Sequence, residues 1–147
     1  MKTLNFRRWS NTIAAIILTV LFGYFFGSLS VWKDKQSEVA YPAEEFGQVV
    51  TYPEGFWLEG SLLFIAVTAT AGLLSLAVRR LIITVDGYDK PKGSLQLQIW
   101  GHTITGFGVA FSSLNPFLGP LVFIAGLACL VVSIQQKCPE HSHLLES

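Results

Sequence analysis

Charge disappears from this chain in three long blocks, and their lengths dictate its architecture. From Asn11 to Trp32 there are 22 residues without Asp, Glu, Lys or Arg. At 1.5 Å per residue that makes about 33 Å of helix, which matches the hydrocarbon core of a bilayer. A second block runs from Gly60 to Val78, opens beside Trp57 and stops at Arg79 and Arg80. It is again a membrane-length helix. The third block, Gly93 to Gln136, holds 44 residues without charge. As one helix it would reach roughly 66 Å, far more than a bilayer covers, so it must break. Asn115-Pro116 and Gly119-Pro120 mark the break, because proline lacks an amide donor and disfavours helix in the residue before it.

The pattern predicts an all-α integral membrane protein, a single polytopic domain with four transmembrane helices arranged as two hairpins. The spans fall at about 11–32, 58–78, 95–113 and 117–134, with an external acidic loop 33–57, a cytoplasmic loop 79–94 and a cytoplasmic tail 135–147. Pro42 and Pro53 are expected to interrupt any long helix in the external loop. The third span carries Gln96, Gln98, Gly101, His102, Thr103, Thr105, Gly106 and Gly108, which is too polar for a helix facing lipid and puts it inside protein. A rival local reading pairs the alternating Leu95-Gln96-Leu97-Gln98-Ile99 with Leu81 to Val85 as a hairpin across Asp86-Gly87. The third helix would then start nearer Trp100. The first block also ends on Ser28-Leu29-Ser30, a small-x-small cleavage pattern. Its apolar stretch exceeds the roughly 7 to 15 residues of a signal peptide, which favours a retained span.

Orientation follows from the basic residues. With four spans, Lys2, Arg7, Arg8, Arg79, Arg80, Lys90, Lys92 and Lys137 share one side, and only Lys33 and Lys35 lie opposite. This positive-inside bias puts both termini in the cytoplasm. Trp9, Trp32, Trp57 and Trp100 all fall at span ends, the level at which an indole anchors a helix to the membrane interface. The expected location is a bacterial cytoplasmic membrane or an organellar inner membrane. Composition adds exclusions. With 51% of its 147 residues hydrophobic and 14% charged, the chain is not disordered. Ten basic and ten acidic residues cancel, so nothing attracts nucleic acid. Six of the ten acids sit between Lys33 and Glu59, a segment that is either solvated or a docking surface. Two cysteines, Cys129 and Cys138, make no disulfide framework.

Chemistry is sparse. The apolar blocks contain no ionisable carboxylate, lysine or arginine, which argues against a proton pump, an ion-coupled transporter or a voltage sensor. There is no Gly-x-Ser-x-Gly elbow, His-Glu-x-x-His pair or Cys-x-x-Cys pair, so no enzyme is expected. His102 is the one histidine in a span. It suits either a hydrogen bond to a neighbouring hydroxyl or backbone oxygen, or an axial bond to haem or chlorophyll with a partner subunit completing the site. Cys138, His141 and His143 in the tail could hold zinc or copper, although the default there is a solvated segment. No cofactor is otherwise expected.

Helix association is better supported. Ala15, Thr19, Gly23 and Gly27 recur every four residues, with a GxxxG at Gly23 and Gly27, and Ala66 with Thr70 offers a similar groove on the second span. Small residues let helices approach closely where no hydrophobic force drives them together. The resulting expectation is a non-catalytic accessory subunit of a larger membrane complex of respiratory, photosynthetic or transport type. Its partners would be the lipid bilayer and other membrane subunits. Alternatives are a small oligomeric pore or solute transporter using the hydroxyl and glycine face of the third span, and a redox or metal-binding membrane protein using His102 or the tail. An immunity or exclusion protein fits the size and spans equally, with no residue selecting it.

Overall fold

Each charge-free block is helical in the computed structural model, which describes residues 2–85 and 95–135. Helix α1 runs over Lys2–Glu45, α2 over Phe56–Val85, α3 over Leu95–Leu114 and α4 over Leu118–Gln135, and no strand occurs among the described residues. The described residues are therefore all-helical in class. Two of its helices are long and apolar enough to cross a membrane, α1 over Asn5–Pro42 and α2 over Phe56–Ile82. The apolar stretch of α4, Leu118–Ser133, is shorter.

The turn between α3 and α4 shows why the third block breaks where it does. The side-chain Oδ1 of Asn115 accepts the amides of Phe117 and Leu118, each at 3.0 Å. Asn115 thus caps the free amides of the new helix, and Pro116 occupies the position where a missing donor costs nothing. Gly119 and Pro120 do not contribute a second break. They lie at the start of α4, where the Gly119 amide already bonds the Asn115 carbonyl at 3.1 Å.

The two long helices overrun their expected limits. α1 has 44 residues and contains Pro42, so the expected loop 33–57 is helical as far as Glu45. Proline near a helix end removes only one backbone bond, and a short charged stretch has no reason to uncoil. The stop comes from Gly47, whose φ of 63° is the left-handed conformation that ends helices. α2 likewise passes Arg79 and Arg80 and continues to Val85. Both halves of the rival hairpin are accordingly helical. The alternation at Leu95 to Ile99 forms the first turns of α3, with Leu95 and Ile99 exposed on one face and Gln98 turned toward α2.

The helices stand in an open row rather than a closed bundle. α1 packs on α2, α2 on α3 and α3 on α4, α1 touches α3 lightly, and among the described residues α4 meets only α3. α3 is thus covered on two sides, and it buries Gly101, His102, Thr105, Gly106, Gly108 and Ala110. This is the enclosure its polarity called for. The main apolar cluster lies at the other side of the row, where Leu29, Trp32, Phe56, Val67 and Ala110 join α1, α2 and α3.

Candidate functional site

Polar chemistry concentrates in the seam between α2 and α3. Ser75 and Arg79 are four residues apart on α2, and Gln98 and His102 four apart on α3, so each pair shares a helix face. Where the faces meet they form two rungs. His102 Nδ1 lies 2.7 Å from Ser75 Oγ, and Arg79 Nη1 donates to Gln98 Oε1 at 2.6 Å. The rungs are about one turn, or 5.4 Å, apart along the helices.

Ser75 Oγ lies 2.7 Å from both the Gly72 carbonyl and His102 Nδ1, and it has one proton to give. With that proton on the Gly72 carbonyl, Oγ accepts from His102 Nδ1–H. The neutral ring then carries a bare lone pair on Nε2. His102 is only 9% exposed, and Nε2 is buried with no partner. Arg79 Nε is buried without one as well. The pair ties α2 to α3. An axial ligand needs open space over its free nitrogen. Nε2 is enclosed by protein atoms in this arrangement.

The opposite end of the row is aromatic. Trp32 was expected to anchor at the membrane interface, but it is buried, and its indole N–H donates to the Phe56 carbonyl at 2.9 Å. Its ring stacks on Phe56, which in turn stacks on Tyr52. Gly60 makes this possible, since a Cβ there would collide with the Trp32 ring. Trp9, Trp57 and Trp100 remain exposed. Beside the cluster, Trp32, Trp57, Phe64, Phe107 and Phe111 line an open apolar groove of about 430 Å³.

The small-residue positions divide. Thr70 is buried and Ala66 half-buried, with Thr70 Oγ1 donating to the Ala66 carbonyl at 2.7 Å. Ala15 is half-buried, whereas Thr19, Gly23 and Gly27 are exposed. Among the described residues nothing comes within 4 Å of where a Cβ on Gly23 or Gly27 would stand. The hydroxyls of the third span each turn back on their own helix: Thr103 to Ile99, Thr105 to Gly101, Ser112 to Gly108 and Ser113 to Ala110. Their protons are therefore not offered to a permeating solute. Cys138, His141 and His143 lie outside the described residues. Among the described residues no cluster of His, Cys, Asp and Glu is arranged to hold a metal.

Sequence reasoning anticipated a hydroxyl partner for His102 but not which one, and it missed Arg79 and Gln98 altogether. The available signal was the four-residue spacing on both helices. Comparison with known protein families, with curated proteins and with solved structures finds no match for this chain.

Proposed function

We propose that this chain is a four-span integral membrane protein with both termini in the cytoplasm, serving as a non-catalytic accessory subunit that packs against other membrane subunits. The observation that carries the reading is the open backbone at Gly23 and Gly27, a close-approach surface that none of the described residues fills. Several further features support it. Scarcely any of the apolar stretch of α1 is buried, about 6% of it, where the core helix of a water-soluble protein would be mostly covered. Ile16, Val20, Leu62, Ile65, Leu121 and Ile124 are likewise exposed on α1, α2 and α4, an apolar surface that suits lipid or protein and not water. α3 is poorer in apolar residues, but α2 and α4 shield it and its hydroxyls bond internally, as a membrane helix requires.

In this reading Asn11 to Trp32 crosses the slab, and the rest of α1 projects from the external face for about 20 Å. That projection carries Lys33, Asp34, Lys35, Glu38 and Tyr41 and gives a partner something to grip outside the membrane. A bacterial cytoplasmic or organellar inner membrane fits the positive-inside bias.

The test is purification of the chain from its native membranes in mild detergent, with mass spectrometry of its companions. Gly23→Leu combined with Gly27→Leu should strip those companions while leaving the chain itself folded. An unchanged set of companions overturns the subunit assignment, and terminal tags found on opposite sides of the membrane overturn the topology.

A further inference from the structure

The second rung of the α2–α3 seam holds a cation with no counter-charge among the described residues. Arg79 is half-buried, its one hydrogen bond among the described residues goes to the neutral Gln98, and no carboxylate lies in ion-pair range of it among those residues. Its neighbour across the seam, His102, offers no negative charge either. Partial burial makes an unneutralised guanidinium expensive, and the expense rises toward hydrocarbon. The local geometry therefore favours an anion that the described helices do not supply.

Position says what kind. Arg79 is the first charged residue after the charge-free block Gly60 to Val78, and Trp100 on α3 stands exposed close by in the Gln98–His102 turn. In a bilayer that is the depth of the headgroups, where indoles gather and phosphate is the abundant oxyanion. A guanidinium fork matches phosphate oxygens with two parallel hydrogen bonds, and Arg79 Nη1 is already held in place by Gln98. The Ser75–His102 rung one turn deeper fixes the two helices on either side, so Arg79 and Gln98 are carried on a docked seam.

We propose that Arg79, held by Gln98 at the end of the α2–α3 seam, is a binding site for the phosphate group of an anionic lipid of the cytoplasmic leaflet. The proposal rests on the membrane reading above and adds a specific ligand to it. Free inorganic phosphate has the same chemistry and is distinguished in the test.

The experiment is native mass spectrometry of the detergent-purified full chain titrated with dioleoyl-phosphatidylglycerol, with dioleoyl-phosphatidylcholine as control. Arg79→Gln should reduce the bound phosphatidylglycerol about tenfold, the loss expected for one hydrogen-bonded charge pair. Arg80→Gln removes an adjacent, exposed charge and should reduce it about threefold or less. Arg79→Lys keeps the charge without the fork and should fall between wild type and Arg79→Gln. If Arg79→Gln does not fold, Arg79→Lys against Arg80→Lys makes the same comparison.

Equal losses at Arg79 and Arg80 overturn the site in favour of diffuse attraction, and wild-type binding by Arg79→Gln overturns it outright. Displacement of the lipid by millimolar inorganic phosphate reassigns the ligand to the free ion and overturns the lipid. A chain that stays in the supernatant after detergent-free carbonate extraction removes the membrane reading itself. Loss of the lipid preference in a chain that still pellets removes only this proposal.

Discussion

Gly106 of α3 lies against the Thr68 carbonyl and the Gly72 backbone of α2, and Gly126 of α4 lies against Thr105 of α3, whereas Gly23 and Gly27 of α1 face open space. The two regions share a composition and differ in what the composition does. In α3 the glycines are the contact surface itself, because any Cβ would meet backbone atoms that cannot move aside. In α1 the same residue type leaves a groove with nothing in it. A small-residue pattern therefore marks where a helix is able to approach, and the tertiary arrangement decides whether the approaching helix belongs to the same chain.

The comparison can be broken at several points, in descending order of effect. Gly106→Leu should destabilise most, by about 3 kcal/mol, since overpacking against backbone cannot be relieved by a rotamer change. Thermal unfolding in detergent followed by circular dichroism measures it, and a wild-type transition would show that the α2–α3 contact is looser than described. Next comes Gly60→Ala, which displaces the Trp32 ring from its seat. A loss of about 2 kcal/mol is expected, with a red shift of tryptophan emission as the indole becomes solvated.

Ser75→Ala leaves the Nδ1–H of His102 buried without an acceptor and should cost about 1 to 2 kcal/mol. Ser75→Thr, which keeps the hydroxyl, should recover part of that loss in the same unfolding assay. Last, Gly23→Leu with Gly27→Leu should leave the stability of the isolated chain within about 1 kcal/mol of wild type, or raise it, because leucine favours helix over glycine. A large destabilisation there would mean that the α1 face is packed within the chain after all.

The contrast also explains what could be read in advance. The end of α3 and the start of α4 came within one residue because they are set by local chemistry, a cap at Asn115 and a proline at Pro116. The end of α1 did not. Pro42 and the charges after Trp32 resemble a loop on paper, but neither stops a helix that is already running, and the stop depends on the backbone angle at Gly47. Trp32 was legible as an indole at a span end and illegible as the lid on Gly60, since that contact joins residues 28 positions apart. The rungs of the α2–α3 seam fall in the same class. Their spacing is written in each helix, but the register that sets Ser75 against His102 and Arg79 against Gln98 exists only once the two helices dock.

The length of α1 imposes a condition on the segment that follows it. Between Trp32 and Glu45 the helix climbs about 20 Å, yet the Tyr52 ring already stacks on Phe56, which stacks on Trp32. Seven residues must make that descent, and seven residues of extended chain span only about 23 to 25 Å. That leaves the return little slack. Shortening it by two or three residues would either unwind the tip of α1 or pull Tyr52 off its ring. Lengthening it would let the tip sway without disturbing the helices below.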